Sequence, residues 1–177
     1  MSGPAMLSMG RTRNGYVVRV VGRGTLKESV PLHAQLLHVM EEGCGQLVMD
    51  LSECSYLDST FLGCLVDLHK RCRRSGVTEF FVASPSSECA TLLDKTRLST
   101  ILAFVDHCPE TVEEEVTVAR ETKDPRCLES GAHIMECHRR LAELGGPNQA
   151  QFSAIADHLA RELETRFAGA SNDATRS

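Results

Sequence analysis

The sequence predicts an α/β fold: a mixed β-sheet backed by helices, followed by a C-terminal helical hairpin. Three observations predict it. Short, almost wholly apolar runs such as Gln46 to Leu51 suit strands covered on both faces. Between them lie longer segments with apolar side chains every three or four residues, the spacing of a half-buried helix. The two patterns alternate, which is how helices come to pack on a sheet in one layered domain. With 177 residues, 42% hydrophobic and 24% charged, the chain can bury a real core and does not read as disordered, collagenous or coiled-coil.

Ala5 to Met9 is a short apolar stretch, and Asn14-Gly15 is a hairpin-turn pair feeding the strand Tyr16 to Val21. Gly22 and Gly24 close that strand. Ser29 and Pro31 start a helix carrying Leu32, Leu36, Val39 and Met40, which Gly43 ends. Gln46 to Leu51 is the central strand, and Ser52 to Asp58 reads as a polar loop. The helix beginning at Ser59 aligns Phe61, Leu65, Leu68 and Cys72 on one stripe. Arg71, Arg73 and Arg74 suit its negative end, and Gly76 stops it.

Glu79 to Ala83 is a third strand, Ser84-Pro85-Ser86-Ser87 opens a short helix through Lys95, and Ile101 to Val105 is a further strand. Pro109 is expected to open a helix to about Glu121 with Val112, Val116 and Ala119 inward. Composition then shifts at Glu121 to Pro125, which sets the domain division at 1–122 and 123–167. In the second part Leu128, Met135, His138, Leu141 and Leu144 mark one helix, and Gly145-Gly146-Pro147 breaks it. Phe152, Ile155, Leu159, Leu163 and Phe167 mark the next. Two helices bury too little alone, so this hairpin packs on the first domain or on a second copy as a homodimer. Residues 168–177 read as a disordered tail.

The formal net charge of -5 supplies no dense positive surface for a phosphate backbone, so nucleic acid is not expected as a partner. No window offers the ~20 apolar residues of a membrane span, and the first residues lack a secretory-signal layout. A cytoplasmic protein without direct membrane insertion is expected. The eight cysteines include no CxxC pair and read as reduced core thiols. His133 and Cys137 share a helical face near Cys127 and His138, but zinc ligand pairs are missing, so no metal is expected. No G-x-S-x-G, P-loop or G-x-G-x-x-G occurs; no catalytic residue and no cofactor are expected.

The most informative segment runs from Leu47 to Gly63. A buried strand delivers Asp58-Ser59-Thr60 to the start of a helix, where unpaired backbone N–H groups and the positive helix end would stabilise a phosphate on Ser59. The plainer alternative makes Ser59 only an N-cap.

Asp50-Leu51-Ser52, Leu57-Asp58-Ser59-Thr60 and Leu62-Gly63, in this order of elements, resemble the STAS domain of bacterial anti-sigma factor antagonists over about residues 5 to 121. The resemblance implies a small mixed sheet backed by helices. It also implies phosphorylation of Ser59 by a Ser/Thr kinase that is itself the anti-sigma factor, release of that partner on phosphorylation, and reset by a phosphatase. Asp58, Ser59, Thr60 and Phe61 would form the partner-binding surface. Phe61 stands where family members usually carry Gly, and either fills the core or alters the kinase-facing surface. Arg97-Leu98 stands where many carry Gly-Leu. The alternative implied is a STAS subunit docking to an ATP-binding-cassette lipid transporter.

Overall fold

The Asn14-Gly15 pair turns the chain between β1 (Met6–Arg11) and β2 (Gly15–Gly24), an antiparallel hairpin in register from Met6↔Val21 to Arg11↔Tyr16. The computed structural model describes residues 5–76, 78–118 and 127–173. After β2 come α1 (Leu26–Glu41), β3 (Gln46–Asp50), β4 (Cys54–Leu57), α2 (Ser59–Ser75), β5 (Glu79–Ala83), α3 (Ser87–Lys95), β6 (Ala103–Val105) and β7 (Val116–Thr117). The sheet runs β6-β5-β3-β2-β1-β7, with β4 beside the end of β2. β3 is parallel to β2 and β5, β6 is parallel to β5, and β1 is antiparallel to β2 and β7. The mixed sheet and its helices are the fold the sequence predicts.

Side-chain alternation divides the interior in two, as the period of a strand requires. Val18, Val20, Leu47 and Met49 face α1 and α2 and join Leu32, Leu36, Phe61, Leu65 and Leu68 in the main core. Val17, Val48 and Ala83 face the other way and pack with Phe81, Val105 and Cys108. The chain from Asp106 to Glu115 connects β6 at one sheet edge to β7 at the other. Glu115 ties it down through the Ser8 hydroxyl at 2.7 Å and Arg19 at 3.2 Å.

Four local expectations are corrected. α1 starts at Leu26, before Ser29, because the Glu28 carboxylate accepts from both the Thr25 backbone N–H and the Thr25 hydroxyl, and Pro31 is accommodated inside the helix. The segment Ser52 to Asp58 contains β4, since buried Cys54 and Leu57 pair with Gly22 to Gly24. The segment after Pro109 is no helix: Val112 and Val118 donate backbone bonds to Arg11 and Leu7, and β-branched Val116-Thr117 extends the sheet edge. Val112 and Val116 are exposed rather than inward, and Ala119 lies outside the described residues. Finally, α5 (Gln149–Asp173) runs into the segment expected to be a tail, where Ala168 and Ala170 favour helix and no proline interrupts. Residues 174–177 and the boundary Glu121 to Pro125 lie outside the described residues.

The C-terminal hairpin packs on its own chain. α4 (Leu128–Ala142) lies against α2 and touches α1, and α5 lies against α4. Gly145 and Gly146 make the turn in left-handed conformations, φ 69° and 91°. Cys137 and Leu141 of α4 enter the main core. On α5, Leu163 is buried and Phe167 exposed.

Candidate functional site

Asp58 organises the region singled out by the sequence. Its Oδ1 accepts from the Phe61 N–H at 2.8 Å and caps α2. Its Oδ2 accepts from the Leu26 N–H at 3.0 Å, the first residue of α1. One carboxylate thus satisfies orphan donors at two helix starts. Burial pushes this carboxyl above its ordinary pKa, against the pull of the Phe61, Leu26 and Thr60 N–H groups.

Because Asp58 is the cap, Ser59 is the first helical residue and not the N-cap. Its half-buried side chain is free for another partner, and that partner is His138 of α4, with Oγ and Nε2 3.0 Å apart. Nδ1 of the same ring lies 2.8 Å from the Ile134 carbonyl, which only accepts, so Nδ1 carries a proton and Nε2 is the ring atom turned to the Ser59 hydroxyl. His138 is buried. Of the four residues expected to meet a partner, Phe61 is fully buried and Thr60 nearly so. Phe61 fills the core against Gly24, where an added Cβ would sit 2.9 Å from its ring. It therefore presents no side chain at a surface.

α4 approaches α2 closely beside this pair. A Cβ on Gly63 would lie 2.2 Å from the Cys137 carbonyl oxygen, so only Gly admits the helix there. Asp67, one turn further along, is buried and accepts from His33 at 2.7 Å, Arg71 at 2.6 Å and Arg140 of α4 at 2.9 Å. Burial opposes its ionisation, but these three bonds hold the carboxyl well below the usual carboxylate range. Ser29 and His133 of α4 meet at 3.0 Å, and the His33 and His133 rings pack edge to face at 5.4 Å. Burial first, and His33 second, push His133 down to about 4.

This shift gives a pH dependence. An unfolded His titrates near 6.5, so between about 6.5 and 4 the unfolded chain holds the proton that the folded chain excludes. Stability is full above that window and falls as pH drops through it, by about 3 kcal/mol at most. Asp67 acts in the same direction at lower pH. Asp58, whose pKa is raised, acts in the opposite direction just above the ordinary carboxylate value. Thermal melts from pH 7 to pH 4 should show the loss, and His133→Gln, which cannot titrate, should flatten it. An unflattened profile rejects His133 as its source.

The His138 ring is oriented by a backbone carbonyl, where a Ser-His-Asp arrangement has a carboxylate. A cavity of about 470 Å³, lined by Arg11, Arg13, Tyr16, Glu42 and Cys44, lies by the start of β2, whereas Asp58 bonds Gly24 at its end. Among the described residues no group of three or more His, Cys, Asp or Glu could hold a metal ion, no helix is long and apolar enough to cross a membrane, and every cysteine is free. Sequence reasoning placed His138 only on a helix face and missed its partnership with Ser59. It also missed Arg23 stacked over the exposed ring of Tyr56 at 4.6 Å, on the strand leading to Asp58.

Residues 7–103, more than half of the chain, match the family model described as "Mlab, STAS domain". The chain belongs to the STAS family. Among solved structures, this STAS chain is similar to a Thermotoga maritima protein assigned as an anti-sigma factor antagonist. The two share 19% identity over 56% of this chain and 85% of that one, with a TM-score of 0.52. Unphosphorylated SpoIIAA, an anti-sigma factor antagonist, shares 15% identity over 59% of this chain and 90% of its own, at a TM-score of 0.48. The phosphorylated form of SpoIIAA, a Bacillus cell fate determinant, shares 15% over 59% and 93%, at 0.47. The Thermotoga likeness establishes the fold, and none of the three establishes a correspondence of residues. No curated protein matches the chain.

Proposed function

We propose that the protein is a non-enzymatic, cytoplasmic regulator of the anti-sigma factor antagonist type, switched by phosphorylation of Ser59. The division into a STAS unit over 1–122 and a hairpin over 123–167 belongs to this reading. The observation that carries it is the double cap of Asp58. With the carboxylate serving both helix starts, Ser59 stands at the positive end of α2 with its hydroxyl unneeded for capping. A phosphate there carries about −1.5 to −2 charges, adjacent to the Asp58 carboxylate. That added charge at a contact surface is a sufficient cause for a bound kinase to let go. The kinase would be of the anti-sigma type, with a phosphatase restoring the hydroxyl.

Incubation with the cognate kinase and ATP is expected to place one phosphate on the wild type and none on Ser59→Ala, read by peptide mass spectrometry. Modification elsewhere with Ser59 untouched rejects the site. Docking to an ATP-binding-cassette lipid transporter is the second reading, favoured by the hydroxyl's existing bond to His138. It predicts co-purification with a transporter ATPase while Ser59 stays unmodified.

A further inference from the structure

We propose that α4 is a reversible cover over the phosphorylation face, so that a kinase gains Ser59 only when the hairpin has left α2. This inference rests on the reading of Ser59 as a phosphorylation site and assigns its regulation to the chain itself. Three features lead to it. The hydroxyl that would attack a phosphoryl donor is already engaged with Nε2 of His138 at 3.0 Å. The contact of Gly63 with the Cys137 carbonyl leaves no space for another chain along that part of α2. A protein kinase must take hold of the residues flanking its acceptor, and α4 lies along them.

The cover is also built to come away. Its contact with α1 and α2 is rich in groups that water can satisfy: Ser29 with His133, Asp67 with Arg140, and Lys70 with Glu143. These polar pairs flank the apolar contact that Cys137 and Leu141 make with the main core, so opening costs that burial while water takes over the polar partners. Modification would alter that contact, since a phosphoester oxygen has no proton to give and a phosphate adds bulk and charge where the hydroxyl now lies 3.0 Å from His138. By linkage, whatever binds the bare face favours the open form by the same factor that opening favours its binding.

The labelling arm of the test needs no kinase. In the full chain, Ser59→Cys and Ser55→Cys are made separately and treated with a biotinylated maleimide, and the labelled thiol is localised by fragmentation mass spectrometry. Ser55 is exposed and serves as the open reference. A covered site labels at least about tenfold more slowly than the reference, since labelling waits on opening. Adding Gly63→Leu, which wedges α4 off α2, or Arg140→Gln, which removes its tie to Asp67, should raise the rate at position 59 towards the reference. The proposal is overturned if position 59 labels as fast as position 55, or if both added changes leave its rate unaltered. A positive labelling result with no kinase phosphorylation of Ser59 in the wedged chain would reject the phosphorylation reading while leaving the cover intact. Phosphorylation at one rate in covered and wedged chains would reject the cover alone.

Discussion

Asp67→Ala should lower folding stability by about 3–5 kcal/mol, the range for breaking one member of a buried ionic cluster. Asp67 is 2% exposed and joins His33, Arg71 and Arg140, so its removal leaves two guanidinium groups without their shared acceptor, Arg140 keeping only Glu136 and Glu143 of its own helix and C-cap. Arg71 is partly exposed and can turn to water, whereas the side chain of Arg140 is only 15% exposed and loses its tie to α2. Chemical denaturation should therefore report a lower midpoint, and amide exchange in α4 should accelerate before that in β2 and β3. The double change Asp67→Leu with Arg140→Met should recover part of the loss, because apolar replacement of a buried pair removes the desolvation cost of both charges. A double variant as unstable as Asp67→Ala would reject the charge-based account and point to packing alone.

Asp58→Ala is expected to cost about 2–4 kcal/mol, because the α2 cap vanishes and the Leu26 and Phe61 N–H groups at two helix starts lose their acceptor together. Asp58→Asn discriminates. An amide has one oxygen where the carboxylate has two, so one helix start keeps its acceptor and the cost should fall between alanine and wild type. Equal losses for the two variants would reject the shared-cap account. Calorimetric melts give the magnitude. Amide exchange at Leu26 and Phe61 tells which helix start is released.

Much of this architecture was readable along the chain because its determinants are local. β2, β3 and β5 are short apolar runs, the α2 stripe repeats every three to four residues, and Gly76 stops that helix in a left-handed conformation. The Gly-Leu of many family members also flagged Arg97, which adopts φ 64° at a cost of about 1 kcal/mol relative to Gly. What stayed hidden depends on partners distant in sequence. β7 is two residues long and exists because β1 offers an edge to Ser8↔Thr117 and Met9↔Val116. Asp58 looked like a flank of Ser59, and its bond to Leu26 spans 32 residues. His138 looked like one more position on a helical face, and its partner Ser59 is 79 residues away. Phe61 left two roles open because a large apolar side chain serves a core or a contact surface equally well.

The placement of the cover late in the chain carries a consequence for biosynthesis. Translation delivers α2, ending at Ser75, well before α4, ending at Ala142. At roughly 5–20 residues per second the interval lasts several seconds. Newly made molecules thus pass through a period in which Ser59 has no α4 beside it. Ribosome-bound chains stalled before residue 128 should accept phosphate faster than released ones, and equal rates would show that birth order has no bearing on modification.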